Sequence, residues 1–198
     1  AQLLLARALD KQGQTDAAMT AYAAAFPLLD KQAVAERLSV ATRLAEAGRV
    51  DDAIQAYRSA LDSDPGGTAG AVPLARLFAL HKPEKLDEAE RLAAGAAKAA
   101  PDDPLARDTL GWIRFLTKKH DQAWPELRAA LALEPTNPTY LFHYGMAEFV
   151  RERWEPARRA LRMALALDPK LPDGGTARAT LKALEDGAGP KRPGPQAP

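Results

Sequence analysis

Small residues recur along the chain at a nearly constant interval. Gly111 and Gly145 are 34 residues apart, and Pro135 and Pro169 show the same offset. The equivalent alanines are Ala18, Ala53, Ala89, Ala123 and Ala157. Successive alanines of this set are separated by 35, 36, 34 and 34 residues, which indicates five similar units in tandem.

Each unit has room for two helices that pack closely through its small residues. Pro135 and Pro169 end such a pair, because the residue before a proline is pushed out of the α region. Pro104 and Pro138 favour the start of the next helix, where a missing N–H costs nothing. The first helix of each unit, helix A, is predicted over 1–12, 34–47, 69–81, 104–117 and 138–151. The second, helix B, is predicted over 15–26, 50–62, 86–99, 120–133 and 154–167.

The C-terminal part differs from the units before it. Ala177, Leu181 and Leu184 lie at i, i+4 and i+7, which predicts a final helix over 175–186 that caps the stack. The segment 187–198 is rich in Gly and Pro, and we predict a disordered tail there. The predicted domain therefore covers 1–186. Its repeats lie at approximately 1–30, 33–66, 69–102, 104–137 and 138–171.

Composition supports an all-α fold and narrows the class of partner. The chain has 43 Ala and 27 Leu but 5 Val and 2 Ile, which favours helices over a sheet. Its 27 basic and 26 acidic residues give a net charge of +1, which argues against nucleic acid as a partner. Cysteine is absent from the sequence, so disulfides and thiolate sites are excluded. The sequence also lacks an apolar run of the roughly 18 residues that membrane insertion requires.

The sequence offers little that is typical of catalysis. Its histidines, His81, His120 and His143, fall in different units without the spacing of a metal site. No serine lies in a Gly-x-Ser-x-Gly elbow, and no glycine-rich loop has the Lys-Ser or Lys-Thr ending that holds phosphate. We therefore predict no catalytic residue, no metal and no cofactor, and we expect no enzyme activity.

These motifs resemble the tetratricopeptide repeat (TPR) family. The residues that carry the resemblance are Leu110-Gly111, Ala123, Leu127, Ala130 and Pro135, then Tyr144-Gly145, Ala157, Leu161, Ala164 and Pro169. The resemblance covers roughly residues 1–170. It implies a right-handed superhelical solenoid of about five helix pairs with a C-terminal capping helix. It further implies a concave groove, lined by the A helices, that binds a protein or peptide.

The resemblance places specific residues in this groove. At its polar, N-terminal end we predict Arg43 and Arg76. At its apolar, C-terminal end we predict Leu105, Asp108, Trp112, Phe115, Phe142, His143, Met146 and Phe149. Eight of the twelve aromatic residues follow residue 100, which favours binding at that end. An alternative stays open, in which Trp112, Phe142 and Met146 pack inside the protein and Phe115 and Phe149 replace the expected large core residue beside them.

Two further features leave alternatives open. Repeat five contains a cluster of arginines with interleaved glutamates: Arg151, Arg153, Arg158, Arg159 and Arg162. They are interpreted either as i,i+4 ion pairs on a solvated helix or as a site for an acidic partner. Pro125 lies inside a predicted helix B and is expected to delay or kink it.

The predicted function is a non-enzymatic scaffold that docks a peptide or helix. The segments Asp108-Thr109-Leu110-Gly111-Trp112 and His143-Tyr144-Gly145-Met146-Ala147 resemble bacterial TPR proteins of envelope assembly, exopolysaccharide export or protein sorting. The bacterial cytoplasm and the periplasm both stay open as compartments. An alternative function is a regulatory or oligomerising arm of a larger enzyme or membrane machine. Because the chain starts inside a helical pattern, we also expect a fragment or processed product, and self-assembly through uncapped repeat ends is a third option.

Overall fold

The computed structural model describes residues 1–186, and these residues form eleven α-helices without a β-strand. The predicted tail, 187–198, lies outside the described residues. The chain divides into two compact units, Ala1–Ala100 and Pro101–Pro198, which we call unit 1 and unit 2.

Unit 1 consists of three antiparallel helix pairs. Its helices are α1 (Gln2–Lys11), α2 (Thr15–Ala25), α3 (Val34–Glu46), α4 (Val50–Ser63), α5 (Thr68–His81) and α6 (Leu86–Ala99). Short 3-10 turns at Phe26–Leu28 and Pro83–Lys85 follow α2 and α5. The second turn lies inside the third pair, where Pro83 lengthens the connection between its helices.

Unit 2 consists of two helix pairs and a final single helix. Its helices are α7 (Pro104–Leu116), α8 (His120–Leu133), α9 (Pro138–Val150), α10 (Trp154–Leu167) and α11 (Gly174–Glu185). Asp103 and Asn137 cap α7 and α9 by accepting hydrogen bonds from backbone N–H groups of the first turn. Pro104 and Pro138 occupy the first helical position, as the sequence predicts.

The predicted helices are confirmed, since each observed end lies within one residue of its predicted position. Pro125 was expected to delay or kink helix B of repeat four. The delay is wrong, because α8 begins at His120 and continues through Pro125 to Leu133, while the kink stays a prediction. The expected capping helix is also present as α11, whose Ala177 and Leu181 join the core formed by α9 and α10.

Small residues determine how closely the two helices of a pair approach. The five periodic alanines, Ala18, Ala53, Ala89, Ala123 and Ala157, are completely buried. A Cβ atom added to Gly111 of α7 would lie 2.7 Å from the Leu127 side chain and 3.0 Å from the Leu127 backbone nitrogen. Gly145 of α9 meets Leu161 of α10 in the same way, at 2.9 Å. The 34-residue period is therefore the spacing of these close approaches.

None of the helices described between residues 1 and 186 combines sufficient length with sufficient apolar character to cross a membrane.

Candidate functional site

The candidate site is the surface formed by the A helices of unit 2, α7 and α9, which we call the A face of unit 2. Leu105, Leu116 and Val150 are its exposed apolar residues, with 38%, 39% and 39% of their surface accessible. Half-buried apolar side chains lie on the same helices: Trp112, Phe115, Met146 and Phe149. The two helices therefore carry both an exposed apolar rim, formed by Leu105, Leu116 and Val150, and partly accessible aromatic rings.

Trp112 connects the rings of this face. Its indole stacks on the ring of His143, with centroids 4.0 Å apart and planes 13° apart. It also stacks on Phe115 at 4.8 Å and 6°. Phe142 contacts both Trp112 and His143 in tilted geometry, at 5.7 Å and 5.6 Å. This stack joins α7 to α9 and fixes the orientation of the accessible rings.

Three residues predicted to line the groove lie beneath the surface instead. Asp108 and Phe142 are 1% exposed and His143 is 5% exposed. The Nδ1 atom of His143 lies 2.8 Å and 3.0 Å from the two carboxylate oxygens of Asp108. The reason for the difference is that successive A helices pack against each other through these positions, so the three side chains join α7 to α9 and are not accessible to a partner.

The remaining predicted residues of unit 2 are at least partly accessible. Leu105 is exposed, while Trp112, Phe115, Met146 and Phe149 are half-buried. Met146 is also contacted from the capping helix, since the Thr180 hydroxyl donates to its sulfur at 3.6 Å. Whether these residues bind a partner stays a prediction.

The predicted polar end lies in unit 1, where Arg43 is already neutralised. Its guanidinium donates to both carboxylate oxygens of Asp10, at 2.9 Å and 2.6 Å, and to Glu46 at 2.6 Å. The hydrogen bond from Arg43 holds the pKa of Asp10 below its usual value. Arg76 is half-buried and forms no ion pair within residues 1–186. The surface around Arg43 is therefore polar, and this cation is paired within the protein.

Sequence reasoning missed the role of two arginines that occupy the position of the usual TPR tryptophan, Arg37 and Arg107. The buried Arg37 donates from Nε to the Asp30 carbonyl at 3.0 Å, and its other nitrogens bond the Leu29 carbonyl and the Ser59 hydroxyl. Arg107 donates to the Pro101 carbonyl at 2.5 Å and to Glu126 at 2.9 Å. Each arginine thus ties the loop before its helix A to the following helix B. The only sequence signal was the shared position in the repeat.

Polar residues also replace the large core residue expected three positions after each glycine. Glu148 is 2% exposed and accepts a hydrogen bond from the Trp124 indole at 2.9 Å. Arg114 contacts Glu126 at 3.4 Å. Burial raises the pKa of the neighbouring Tyr144 to about 12, and the Glu148 carboxylate contributes in the same direction. These pairs join helices A and B by hydrogen bonds, where the family pattern has apolar packing.

The arginine cluster of repeat five separates into two groups. Arg158 pairs with Glu155, and Arg162 pairs with Glu185 at 2.9 Å. Arg151, Arg153 and Arg159 form no ion pair in the part of the chain that the structure describes. Neither pair has the expected i,i+4 spacing, because Arg158–Glu155 is an i,i+3 pair and Arg162–Glu185 joins α10 to α11.

Exposed apolar residues also lie on the B helices of unit 2. Helices α8 and α10 expose Leu133, Met163 and Leu167, and a cavity of about 250 Å³ beside Met163 is lined by Leu131 and Tyr144 among others. Among residues 1–186, no group of three His, Cys, Asp or Glu side chains is placed to hold a metal ion.

Known proteins with this fold include several repeat proteins. YrrB, described as a TPR protein with an unusual peptide-binding site, superimposes with a TM-score of 0.64 at 18% identity, covering 90% of each chain. TTC0263, a TPR protein of Thermus thermophilus, gives 0.64 at 22% identity over 93% of this chain and 97% of its own. MamA gives 0.68 at 18% identity over 83% and 95%. At these identities the likeness shows the fold alone.

Sequence comparison identifies the family. One tetratricopeptide repeat model matches residues 3–68 and 117–172, and a second matches 44–113. No curated protein sequence matches the chain. TPR proteins are typically non-enzymatic scaffolds. The chain belongs to the tetratricopeptide repeat family, and it is a repeat scaffold for protein–protein interaction.

Proposed function

We propose that the A face of unit 2 binds a helix or an extended peptide of another protein. The observation that carries the proposal is the combination of Leu105, Leu116 and Val150, which are exposed, with the partly accessible rings of Trp112 and Phe149 on the same two helices. Such a surface can bind the apolar side chains of a partner. Each of its strongest aromatic contacts would contribute about 2 kcal/mol or more to the free energy of binding.

The buried layer below the face supports this role. The Asp108–His143 pair and the ring of Phe142 hold Trp112 in a stack between α7 and α9. A partner would therefore meet rings whose orientation is already fixed, which lowers the entropy cost of binding. YrrB, with the same fold, is described as having a peptide-binding site, which is consistent with this use of the fold.

The proposal is tested with peptides selected from a displayed random library on the intact chain. The variant Leu105→Ser, Leu116→Ser, Val150→Ser changes the rim of the A face. The matched control, Leu133→Ser, Met163→Ser, Leu167→Ser, changes three residues of similar exposure on α8 and α10. We expect at least a tenfold loss of peptide affinity in the first variant and less than a twofold loss in the control. The opposite ranking would place the binding surface on the B helices and refute the proposal.

A simpler pair of substitutions, Trp112→Ala with Phe142→Ala, does not separate binding from folding. Because Phe142 is buried, its removal is expected to cost about 3–5 kcal/mol of stability. The rim substitutions avoid this problem, since their side chains are exposed.

A role in bacterial envelope or secretion assembly, and the alternative of a regulatory arm in a larger machine, remain proposals that rest on the sequence. Both require a protein partner at this scaffold. An envelope role predicts that the partner captured in its native cell is an envelope or secretion protein. Crosslinking in that cell from a photoreactive residue at position 116 is the corresponding measurement.

Self-association is a second candidate function, because one observation favours it. Leu4 and Leu5 on α1 are 70% and 55% exposed. Beside Leu5 lies a cavity of about 460 Å³, lined largely by apolar residues of α1 and α2. If copies associate through this surface, light scattering will show a concentration-dependent mass that Leu4→Ser with Leu5→Ser removes. A constant monomer mass on dilution would exclude it.

A further inference from the structure

A cavity of about 480 Å³ lies between the turns of repeats four and five, at the edge of the A face of unit 2. We call it the turn pocket. It is lined by Lys118, His120, Asp121, Val150, Arg151 and Arg153. Lys118 belongs to the turn between α7 and α8, whereas Arg151 and Arg153 belong to the turn between α9 and α10.

The side chains that line the turn pocket carry more positive than negative charge. They include three cations, Lys118, Arg151 and Arg153, and one carboxylate, that of Asp121. None of the three cations forms an ion pair within residues 1–186. Elsewhere in the chain the arginines that form ion pairs include Arg43, Arg49, Arg58, Arg107 and Arg162. What distinguishes the pocket is that three cations without an ion pair line one cavity.

Buried polar atoms at the pocket also lack partners. The Nε atom of Arg151 and the Nδ1 atom of His120 are buried and make no hydrogen bond within the described chain. A buried donor without an acceptor is costly, so negative charge close to these atoms is favoured.

The pocket is held in shape before any ligand binds. The Arg151 guanidinium lies over the ring of Trp124 at 4.5 Å, and the indole nitrogen of Trp124 donates to Glu148 at 2.9 Å. The ring of His120 rests against Phe115 at 5.2 Å. Two of the lining side chains are therefore fixed by ring contacts, which reduces the entropy lost on binding an anion.

The backbone adds to this positive potential. Helices α8 and α10 begin at the pocket, and over the described residues neither Lys119 nor Arg153 provides a side-chain cap. By contrast, α7 and α9 are capped by Asp103 and Asn137. Uncapped first turns present free N–H groups and the positive end of the helix dipole to a ligand.

We infer that the turn pocket binds the carboxylate groups of an acidic segment of a protein partner. Arginine and lysine side chains with free N–H groups are suited to carboxylates. A protein is the favoured source, because the chain is a protein-interaction scaffold whose net charge of +1 lacks the basic excess of a nucleic-acid binder. The pocket shares Val150 with the A face, but the inference rests on Lys118, Arg151 and Arg153, which are not part of that face.

The test uses a fluorescent peptide of ten glutamates and the full chain at low salt. The variant Lys118→Gln, Arg151→Gln, Arg153→Gln removes the pocket cations. The matched control Lys31→Gln, Arg91→Gln, Lys98→Gln removes three exposed cations of unit 1 and gives the same net charge. We expect saturable binding, at least a tenfold weaker affinity in the pocket variant, and less than a twofold change in the control.

Further arms separate the alternatives. The double variant Lys118→Gln, Arg153→Gln keeps Arg151 over Trp124, so a loss of affinity there cannot come from misfolding around that ring. Binding should weaken as salt is raised from 50 to 200 mM, as charge pairing requires. Equal weakening in pocket and control variants, or the absence of binding by the wild type, would overturn the inference. It would also be overturned if inorganic phosphate at micromolar concentration displaced the peptide, or if a ten-nucleotide single strand bound more tightly than the peptide through the same three residues.

Discussion

The A helices of the two units share one repeat pattern and present different surfaces. In unit 1, Arg43 of α3 is held by Asp10 of α1 and by Glu46. In unit 2, the corresponding surface carries Trp112 stacked between side chains of α7 and α9. The small residues that bring helices together are present in both units and are buried in both. The repeat therefore determines the fold. The outward positions of helix A can carry either paired polar side chains or apolar ones.

The two units also differ in how an arginine acts at the position where the TPR pattern has tryptophan. Arg37 in unit 1 is buried and bonds two carbonyls and a hydroxyl, whereas Arg107 in unit 2 is partly exposed and pairs with Glu126. The same residue type therefore has different energetic weight in the two units, and substitutions can measure the difference.

The largest expected effect is at this pair of arginines. Arg37→Met leaves buried carbonyls and a hydroxyl without a donor, so we expect a loss of about 3 kcal/mol in the free energy of unfolding. Arg107→Met removes a partly exposed ion pair, and we expect a loss of about 1 kcal/mol. Urea unfolding followed by circular dichroism measures both. Equal losses would remove the distinction between the two arginines.

The next largest change in stability is expected at two glycines, one in a helix of each unit. Gly111→Ala in α7 places a Cβ 3.0 Å from a backbone nitrogen of α8, so we expect a loss of about 2 kcal/mol from overpacking. Gly95→Ala in α6 finds no atom of the described chain within 4 Å beyond its own helix, and we expect a gain of about 0.5–1 kcal/mol from helix propensity. The shift in melting temperature should have opposite signs. A gain in both would mean that the close approach at Gly111 relaxes freely.

A smaller effect is expected at the turns after the A helices. Unit 1 places glycine in the left-handed region at Gly13 and Gly48, with φ of 73° and 75°. Unit 2 has Lys118 and Glu152 there, with φ of 61° and 59°. Because side chains disfavour this region, Glu152→Gly should stabilise the protein by about 1 kcal/mol and Gly48→Ala should destabilise it by a similar amount. Thermal unfolding of the two variants tests this; a loss at Glu152→Gly would contradict it.

The smallest expected effects are on the pH dependence of stability, at acid pH for unit 1 and at alkaline pH for unit 2. Because the pKa of Asp10 in unit 1 is lowered, its carboxylate stabilises the folded protein at neutral pH. This contribution to stability is lost as the pH falls below about 3.8. The raised pKa of Tyr144 in unit 2 favours its neutral form, so its contribution is present below pH 10 and is lost as the pH rises towards 12. Asp10→Asn should flatten the acid limb of a plot of melting temperature against pH, and Tyr144→Phe should flatten the alkaline limb. Unchanged limbs would show that other groups dominate.

The sequence predicted the fold almost completely, and the site only in part. Helix bounds followed from the spacing of residues such as Gly111 and Ala123, because each repeat makes the same close contact. The burial of Asp108, Phe142 and His143 did not follow, since the period does not specify which outward positions of one A helix meet the next. The partners of Arg37 are mostly backbone carbonyls, which leave no trace in residue identity.

The turn pocket is a second site that could not be predicted from the sequence. The sequence indicated an arginine cluster in repeat five, but Lys118 and His120 join Arg151 and Arg153 only through the packing of two turns. Their distance along the chain, about one repeat, is the only sequence feature that connects them.

We propose that the A helices of unit 2, and not those of unit 1, form the peptide-binding surface. Hydrogen–deuterium exchange of the intact chain, with and without a selected peptide, tests it most directly. We expect slower amide exchange in α7 and α9 on binding, with α1 and α3 unchanged. Protection confined to α1 and α3, or to α8 and α10, would contradict the account.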